Sequence, residues 1–377
     1  MVHRPLLLFL TFVTSLVYGQ SPLQEKIDPI IRPLMEEYGI PGMIVGITVD
    51  GKHQFYTYGV ASKETGQPVS PKTLFEVGSI SKTFTATLAA FAETTNHLRL
   101  TDPVSKYLPA LKGTAFDQIS LIQAGTHTTG GLPLQVPDEV RDETQLTEYL
   151  RNWKPAHTPG TFRSYSNPGT GVFGRAAAAA LKLPFDDAME KKLLPQLGMR
   201  HTYVRVPETE MEKYAQGYNS KNEPVRVNPG PFASEAYGIK TDAEDLLRYV
   251  DIQLFVTPVN AKLTRAITNT HVGYVSLGGM TQDLMWEQYA WRADLPTLLA
   301  GNSPTVALEQ HPVTQQNPPI APGPNVWINK TGSTNGFGGY VVFIPALKTG
   351  VVILANKSYP NQARVAAAHA IFAQLSP

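Results

Sequence analysis

The chain has 377 residues, 42% of them hydrophobic, and a formal net charge of +1. That length can bury a large core in one big domain or two smaller ones, and the near-neutral balance leaves no basic footprint for nucleic acid. There is no cysteine, so disulfides, thiolate metal sites and a cysteine nucleophile are all excluded.

At the N-terminus Arg4 precedes the apolar run Leu6–Leu16, which is broken only by Thr11, Thr14 and Ser15, and the small Gly19 follows. A charged start, a short apolar core and a small residue read as a secretory signal over residues 1–19, cleaved after Gly19 or Gln20. The run is shorter than the roughly 20 residues of a spanning helix, so no stable membrane insertion is expected after cleavage. Residues 20–377 are expected to form a single catalytic domain.

Leu23–Tyr38 carries Ile27, Ile30, Ile31 and Leu34 at helical spacing. Met43–Val49 is an almost unbroken apolar, β-branched run; Asp50-Gly51 is a hairpin signal, and Phe55–Tyr58 returns. Helical composition then marks Thr83–Glu93, Gln145–Asn152, Gly171–Leu181 and Ala243–Phe255, separated by loops rich in Pro and Gly. Two long stretches, Tyr214–Ala236 and Asn302–Asn325, read as structureless loops, equally the borders of a site or disordered surface excursions. Gly339–Ile344 and Val351–Ala355 form two further strands joined by a turn at Pro345–Gly350, and Gln362–Leu375 fits a last helix. Strands at both ends with helices between them predict an α/β protein. Its central antiparallel sheet would be built from both termini, from about 20–80 and 325–377, flanked by helices and interrupted by a mainly helical region. Continuous apolar strands imply that both faces of the sheet are covered.

Three short elements carry chemistry. In Ser79-Ile80-Ser81-Lys82, the first Ser and the Lys share one face of a helix start. A serine hydroxyl needs an adjacent base, and a lysine serves if burial or another cation lowers its pKa. The pattern alone is weak, because S-x-x-K turns up by chance, usually on a solvated helix face. The second element is Lys330-Thr331-Gly332-Ser333, ahead of an apolar strand. It can offer a cation and a hydroxyl to a carboxylate and a backbone N–H to an oxyanion. Lys348-Thr349-Gly350 repeats the letters but falls in a turn between two strands, where such residues are ordinary. The third is Tyr165-Ser166-Asn167: a tyrosine near two lysines can ionise and act as a base. Ser220-Lys221-Asn222 could pass for a similar element, but its polar setting reads as a turn.

Together, in this order and spacing, the three elements resemble the class C, AmpC-type, serine β-lactamases. Flanking text adds to the resemblance: Gly130-Gly131-Leu132-Pro133-Leu134-Gln135, Glu235-Ala236-Tyr237-Gly238 and Ala355-Asn356-Lys357-Ser358-Tyr359-Pro360-Asn361. The resemblance implies a β-lactamase/transpeptidase-like fold, a periplasmic location, a monomer, and hydrolysis of β-lactams without a cofactor or metal. It implies that Ser79 forms the acyl-enzyme, that Lys82 and Tyr165 share the proton transfers, and that Lys330 holds Tyr165 and the substrate. The backbone N–H groups of Ser79 and Ser333 would form the oxyanion hole. Gln135 and Asn167 would bind the side-chain amide, Tyr237 would line the pocket, and Thr331 and Asn361 would meet the carboxylate beside Gly332. Arg364 reads equally as support for that corner or as a plain surface arginine. Asn329 stands where many members of the family have His.

Two rival readings follow the same residues. A D-alanyl-D-alanine carboxypeptidase or an esterase of the same fold would share the Ser and Lys and differ in deacylation. A non-catalytic cell-wall sensor would be expected to lose part of the Ser, Lys and Tyr set. Metal-dependent hydrolysis finds no footing, since the nine histidines show no H-x-H spacing.

Overall fold

The computed structural model describes residues 22–375, so the expected signal at 1–19 lies outside the described residues. Asp50 and Gly51 have positive φ, 49° and 78°, as a two-residue type I′ turn requires. They join β1 (Gly42–Val49) to β2 (Lys52–Gly59) as an antiparallel hairpin. The same sheet continues through β3 (Gly273–Leu277), β4 (Met280–Gln282), β5 (Glu287–Ala290), β6 (Thr314–Ile320), β7 (Val326–Ser333), β8 (Gly338–Ile344) and β9 (Thr349–Ala355). The nine strands run β6-β3-β4-β5-β7-β8-β9-β1-β2, and every neighbouring pair is antiparallel.

The expected sheet, drawn only from the two ends of the chain, is therefore too small. Four of its strands, β3–β6, come from residues 273–320. The stretch Asn302–Asn325 is also not structureless. It holds a short helix, Pro304–Leu308, a strand Gln310–Pro312 paired with Phe162–Ser164, and β6 at the sheet edge. Pro318 and Pro319 hid β6, because proline cannot donate to a ladder and is tolerated mainly at an edge. The other long stretch, Tyr214–Ala236, contains a small hairpin, Gly217–Tyr218 with Pro224–Val225, and ends in the helical turn Ala233–Ala236.

Alternation along the central strands sends side chains to two cores. Met43, Val45 and Ile47 of β1, Tyr340, Val342 and Ile344 of β8, and Val351 and Ile353 of β9 face one side. There they meet Ile27 and Ile31 of α1 (Pro22–Tyr38), together with Val365, Ile371 and Phe372 of the C-terminal helix. Ile44, Val341, Phe343, Val352 and Leu354 face the other side. Packed in that second core are α2 (Ser81–Thr94), α3 (Asn167–Ala180) and α4 (Ala243–Gln253); α5 (Asn361–Leu375) is the C-terminal helix of the first. Both faces of the sheet are covered, which is why these strands read as unbroken apolar runs.

A three-stranded sheet of two-residue strands, Phe75–Glu76, Lys240–Thr241 and Thr202–Tyr203, leads the chain into the site. The repeated Lys348-Thr349-Gly350 sits in the β8–β9 turn: Lys348 has φ 47° and pairs with exposed Asp50 at 3.1 Å. Ser220-Lys221-Asn222 is likewise a turn, with Asn222 at φ 63°.

Candidate active site

Ser79 lies in a single 3₁₀ turn, Gly78–Ile80, that feeds α2. Gly78 has φ +51°, and a Cβ there would sit 2.5 Å from the Ser333 backbone N. Gly332 answers it, for a Cβ on Gly332 would come within 2.0 Å of the Val77 carbonyl oxygen. The turn bearing Ser79 and the strand bearing Lys330 thus touch backbone to backbone at two glycines. From Ser81 to Ala92 the helix is buried on every side, so Lys82 is fully buried although it is charged.

Lys82 Nζ donates to Ser79 Oγ at 3.0 Å and to the Ala236 carbonyl at 2.8 Å. Burial is the main force lowering its pKa to about 8; nearby Tyr165 opposes the shift and Lys330 adds to it. The neutral amine is therefore accessible near neutral pH, as a base beside a serine requires.

Tyr165 precedes α3. Ser166 caps that helix by accepting from the Gly169 N–H at 2.9 Å, and Pro168 falls in its first turn. These signals start the helix at Asn167, four residues ahead of the expected Gly171. The phenol ring lies among three cations: Lys82 Nζ 5.0 Å, Lys330 Nζ 5.1 Å and the Arg163 guanidinium 5.4 Å from its centroid. Burial pushes the phenol pKa up, but Lys330 and Lys82, with a hydrogen bond from Ser79, outweigh it and bring the pKa below the ordinary tyrosine value.

Lys330 is 2% exposed and sits on β7, where it donates to Glu287 Oε1 at 3.2 Å. Burial favours its neutral form, yet Glu287 and Tyr165 more than offset this and raise its pKa. Arg163 reaches the same carboxylate oxygen at 3.2 Å and also bonds Gln282 Oε1 and the Val306 carbonyl. One buried carboxylate thus serves two buried cations.

A cleft of about 160 Å³ opens over this group, lined by Ser79, Tyr165, Lys330, Thr331, Gly332, Ser333 and Asn361 among others. Lys82 does not line it and reaches it through its hydrogen bond to Ser79. Asn167 is buried beside it, its Oδ1 without a hydrogen bond among the described residues and its N–H on the Leu134 carbonyl. Gln135 is exposed on the loop next to Leu134 and does not line the cleft. Tyr237 is half-buried directly after Ala236, whose carbonyl holds Lys82; it too lies outside the lining. Arg364 is not a surface residue. It is fully buried and donates to the Gly332 carbonyl at 2.7 Å, Ser333 Oγ at 2.9 Å and the Gly339 carbonyl at 3.3 Å. Asn329 is buried between the Tyr340 hydroxyl and the Glu287 carbonyl.

Sequence reasoning missed Arg163, Glu287 and His127. His127 is fully buried, with its ring 4.4 Å from that of Tyr165. Its carbonyl accepts the Ser164 N–H at 2.8 Å and its Nδ1 accepts the Ser166 N–H at 3.3 Å, so it brackets Tyr165 on both sides. Burial, reinforced by Arg163, Lys82 and Lys330, holds its pKa well below the ordinary histidine value. Arg163 had one available signal: it lies two residues before Tyr165, the spacing that shares a face in extended chain, although the strand itself ends at Ser164. Glu287 and His127 had none.

A family model described as Beta-lactamase matches residues 27–376. The β-lactamase of Pseudomonas fluorescens is 49% identical over 94% of this chain and 99% of its own length. Among solved structures, a class C β-lactamase in complex with cefoxitin is 50% identical, with a TM-score of 0.91 over 94% of this chain and 99% of that one. A β-lactamase/D-alanine carboxypeptidase from Pseudomonas syringae is 49% identical, with a TM-score of 0.93 over 95% of this chain and all of that one. With a serine, two lysines and a tyrosine converging at one cleft and relatives matched over nearly the whole length, this chain belongs to the class C serine β-lactamase family.

Proposed function

We propose that this chain hydrolyses β-lactam antibiotics, penicillins and cephalosporins, through an acyl-enzyme on Ser79, and so confers resistance on its host. The observation that carries the reading is Lys82 Nζ at 3.0 Å from Ser79 Oγ, with its pKa lowered to about 8. Ser79 Oγ attacks the lactam carbonyl and forms an ester as the ring C–N bond breaks. The serine proton passes through Lys82 and Tyr165 to the departing ring nitrogen. Water then attacks the ester, giving up a proton to the same pair, and the carboxylic acid leaves with Ser79 restored. Lys82 and Tyr165 act as one coupled acid–base unit, so neither alone owns the titration.

The backbone N–H groups of Ser79 and Ser333 receive the developing oxyanion. Lys330 supplies positive potential to Tyr165 and to the substrate. Thr331 and Asn361 meet the substrate carboxylate, Gly332 lets the strand approach, and Asn167 binds the side-chain amide; Gln135 and Tyr237, outside the cleft lining, meet only a substrate side chain that extends beyond it. A class C relative solved with cefoxitin supports a β-lactam as the ligand of this cleft. We place the work of the enzyme in the periplasm, as a monomeric single domain released from the signal at 1–19. Among the described residues no helix is long and apolar enough to cross a membrane.

Purified enzyme is expected to turn over a chromogenic cephalosporin, and a Ser79→Ala variant to lose that turnover. Equal activity in the variant would overturn the mechanism. Stoichiometric acylation without turnover would favour the carboxypeptidase reading, which the name of the Pseudomonas syringae relative keeps open.

A further inference from the structure

Away from Ser79, the small three-stranded sheet brings His201 to a pair of aspartates, Asp242 and Asp245, about 40 residues further along the chain. Thr202 pairs with Thr241, so His201 and Asp242 flank that rung at the same end of the two strands. Asp245 stands one turn into α4, which Asp242 caps. One ligand atom from each of the three lies within 4.8 Å of the others.

The two oxygens of Asp242 are used very differently. Oδ1 accepts the Asp245 N–H at 2.8 Å and completes the helix cap. Oδ2 belongs to a side chain that is 1% exposed and has no hydrogen bond among the described residues. A buried carboxylate oxygen left in that state is costly and calls for a partner. The nearest candidate is His201 Nδ1, at 3.4 Å. That is long for an N–H···O hydrogen bond, whose usual range is about 2.7–3.2 Å. It does match the edge of a zinc coordination tetrahedron: bonds of about 2.0–2.1 Å put neighbouring ligand atoms about 3.4 Å apart.

Asp245 is also held in place. Its Oδ2 accepts the His201 backbone N–H at 2.7 Å and Thr202 Oγ1–H at 2.8 Å, which locks the carboxylate beside the other two. The imidazole is 36% exposed, so an ion can enter from solvent and keep water as a further ligand. None of the three residues lines the Ser79 cleft.

We propose that His201, Asp242 and Asp245 form a binding site for a divalent transition-metal ion of the zinc type, a stabilising site separate from catalysis. One nitrogen and two carboxylate ligands suit such an ion better than magnesium or calcium, which take oxygen ligands. The test uses full-length mature enzyme stripped with EDTA and dialysed, then titrated calorimetrically with zinc chloride or magnesium chloride. Saturable one-to-one zinc binding is expected, with a rise in Tm and no response to magnesium. Asp242→Asn keeps a cap-competent side chain, and His201→Ala changes a side chain at the surface. Each variant is expected to stay folded and to bind zinc at least about tenfold more weakly. Cephalosporin turnover is expected to be equal in the stripped and the loaded enzyme. Absence of saturable zinc binding, or binding undiminished in both variants, would overturn the proposal. So would loss of turnover on zinc loading, which would put the ion at Ser79 instead.

Discussion

Tyr165 owes its chemistry to its neighbours: an isolated buried phenol would resist ionisation, and here three cations surround the ring. Tyr165→Phe keeps the ring and removes the hydroxyl to which we assign the proton transfers. We expect kcat to fall by about 10²–10⁴-fold, the usual range for general acid–base catalysis, with an unchanged circular dichroism spectrum as the check on folding. Glu287 acts on the same pair at a distance, since its charge raises the pKa of both Lys82 and Tyr165. Removing that charge lowers both values. The acid limb of the kcat/KM profile, along which the pair gains a proton and loses activity, should therefore move to lower pH in Glu287→Gln. A limb displaced to higher pH would contradict this account of the electrostatics. The same variant leaves Arg163 and Lys330 buried without their shared anion. Breaking a buried pair in this way costs about 3–5 kcal/mol, which denaturant titration would read directly.

At the scale of elements, the site depends on how closely a turn and a strand approach. Gly78 and Gly332 are the two places where the Ser79 turn meets β7, and the atoms facing them are backbone, which cannot rotate aside. Gly332→Ala must push β7 away from Val77, carrying Lys330 and the Ser333 N–H with it. A misplacement of about 1 Å is worth about a hundredfold in rate, so kcat/KM should drop by at least about that factor while the sheet still forms. Arg364 ties the other end of the same arrangement. From the first turns of α5 it holds the carbonyls of Gly332 and Gly339, which explains a buried arginine in a helix otherwise rich in alanine. The resemblance pointed to Arg364 only as one of two equal readings. A helix start beside a strand end gives no sign of depth until the two are packed.

Over the whole molecule, one sheet divides two cores, and the two ends of the chain close one of them. Ile27 and Ile31 of α1 lie with Val365, Ile371 and Phe372 of α5 over the same strand face. Deleting residues 361–375 would bare that face along β8, β9 and β1, and would remove Asn361 and Arg364. We expect the truncated chain to be recovered only as aggregate, with no cooperative thermal transition; a soluble, cooperatively folding product would show that the helix is dispensable. The proposed signal at 1–19 carries its own prediction: cleavage after Gly19 or Gln20 would give an exported protein that begins at Gln20 or Ser21, readable by N-terminal sequencing.

By itself the sequence determined the hairpin at Asp50-Gly51, the buried strands β8 and β9, the principal helices, and the order of Ser79, Lys82, Tyr165 and Lys330. These are local facts: turn chemistry, apolar runs and short motifs are written in neighbouring residues. Only the tertiary structure decided the rest. Residues 273–320 supply four strands whose polar and proline-containing text did not announce a sheet, because edge and partly covered strands need no continuous apolar run. His127 and Glu287 reach Tyr165 and Lys330 from about 40 residues away along the chain. Arg364 sinks beneath Gly332 for the same reason: burial is set by what packs on a residue, and contacts between distant segments leave no period in the sequence.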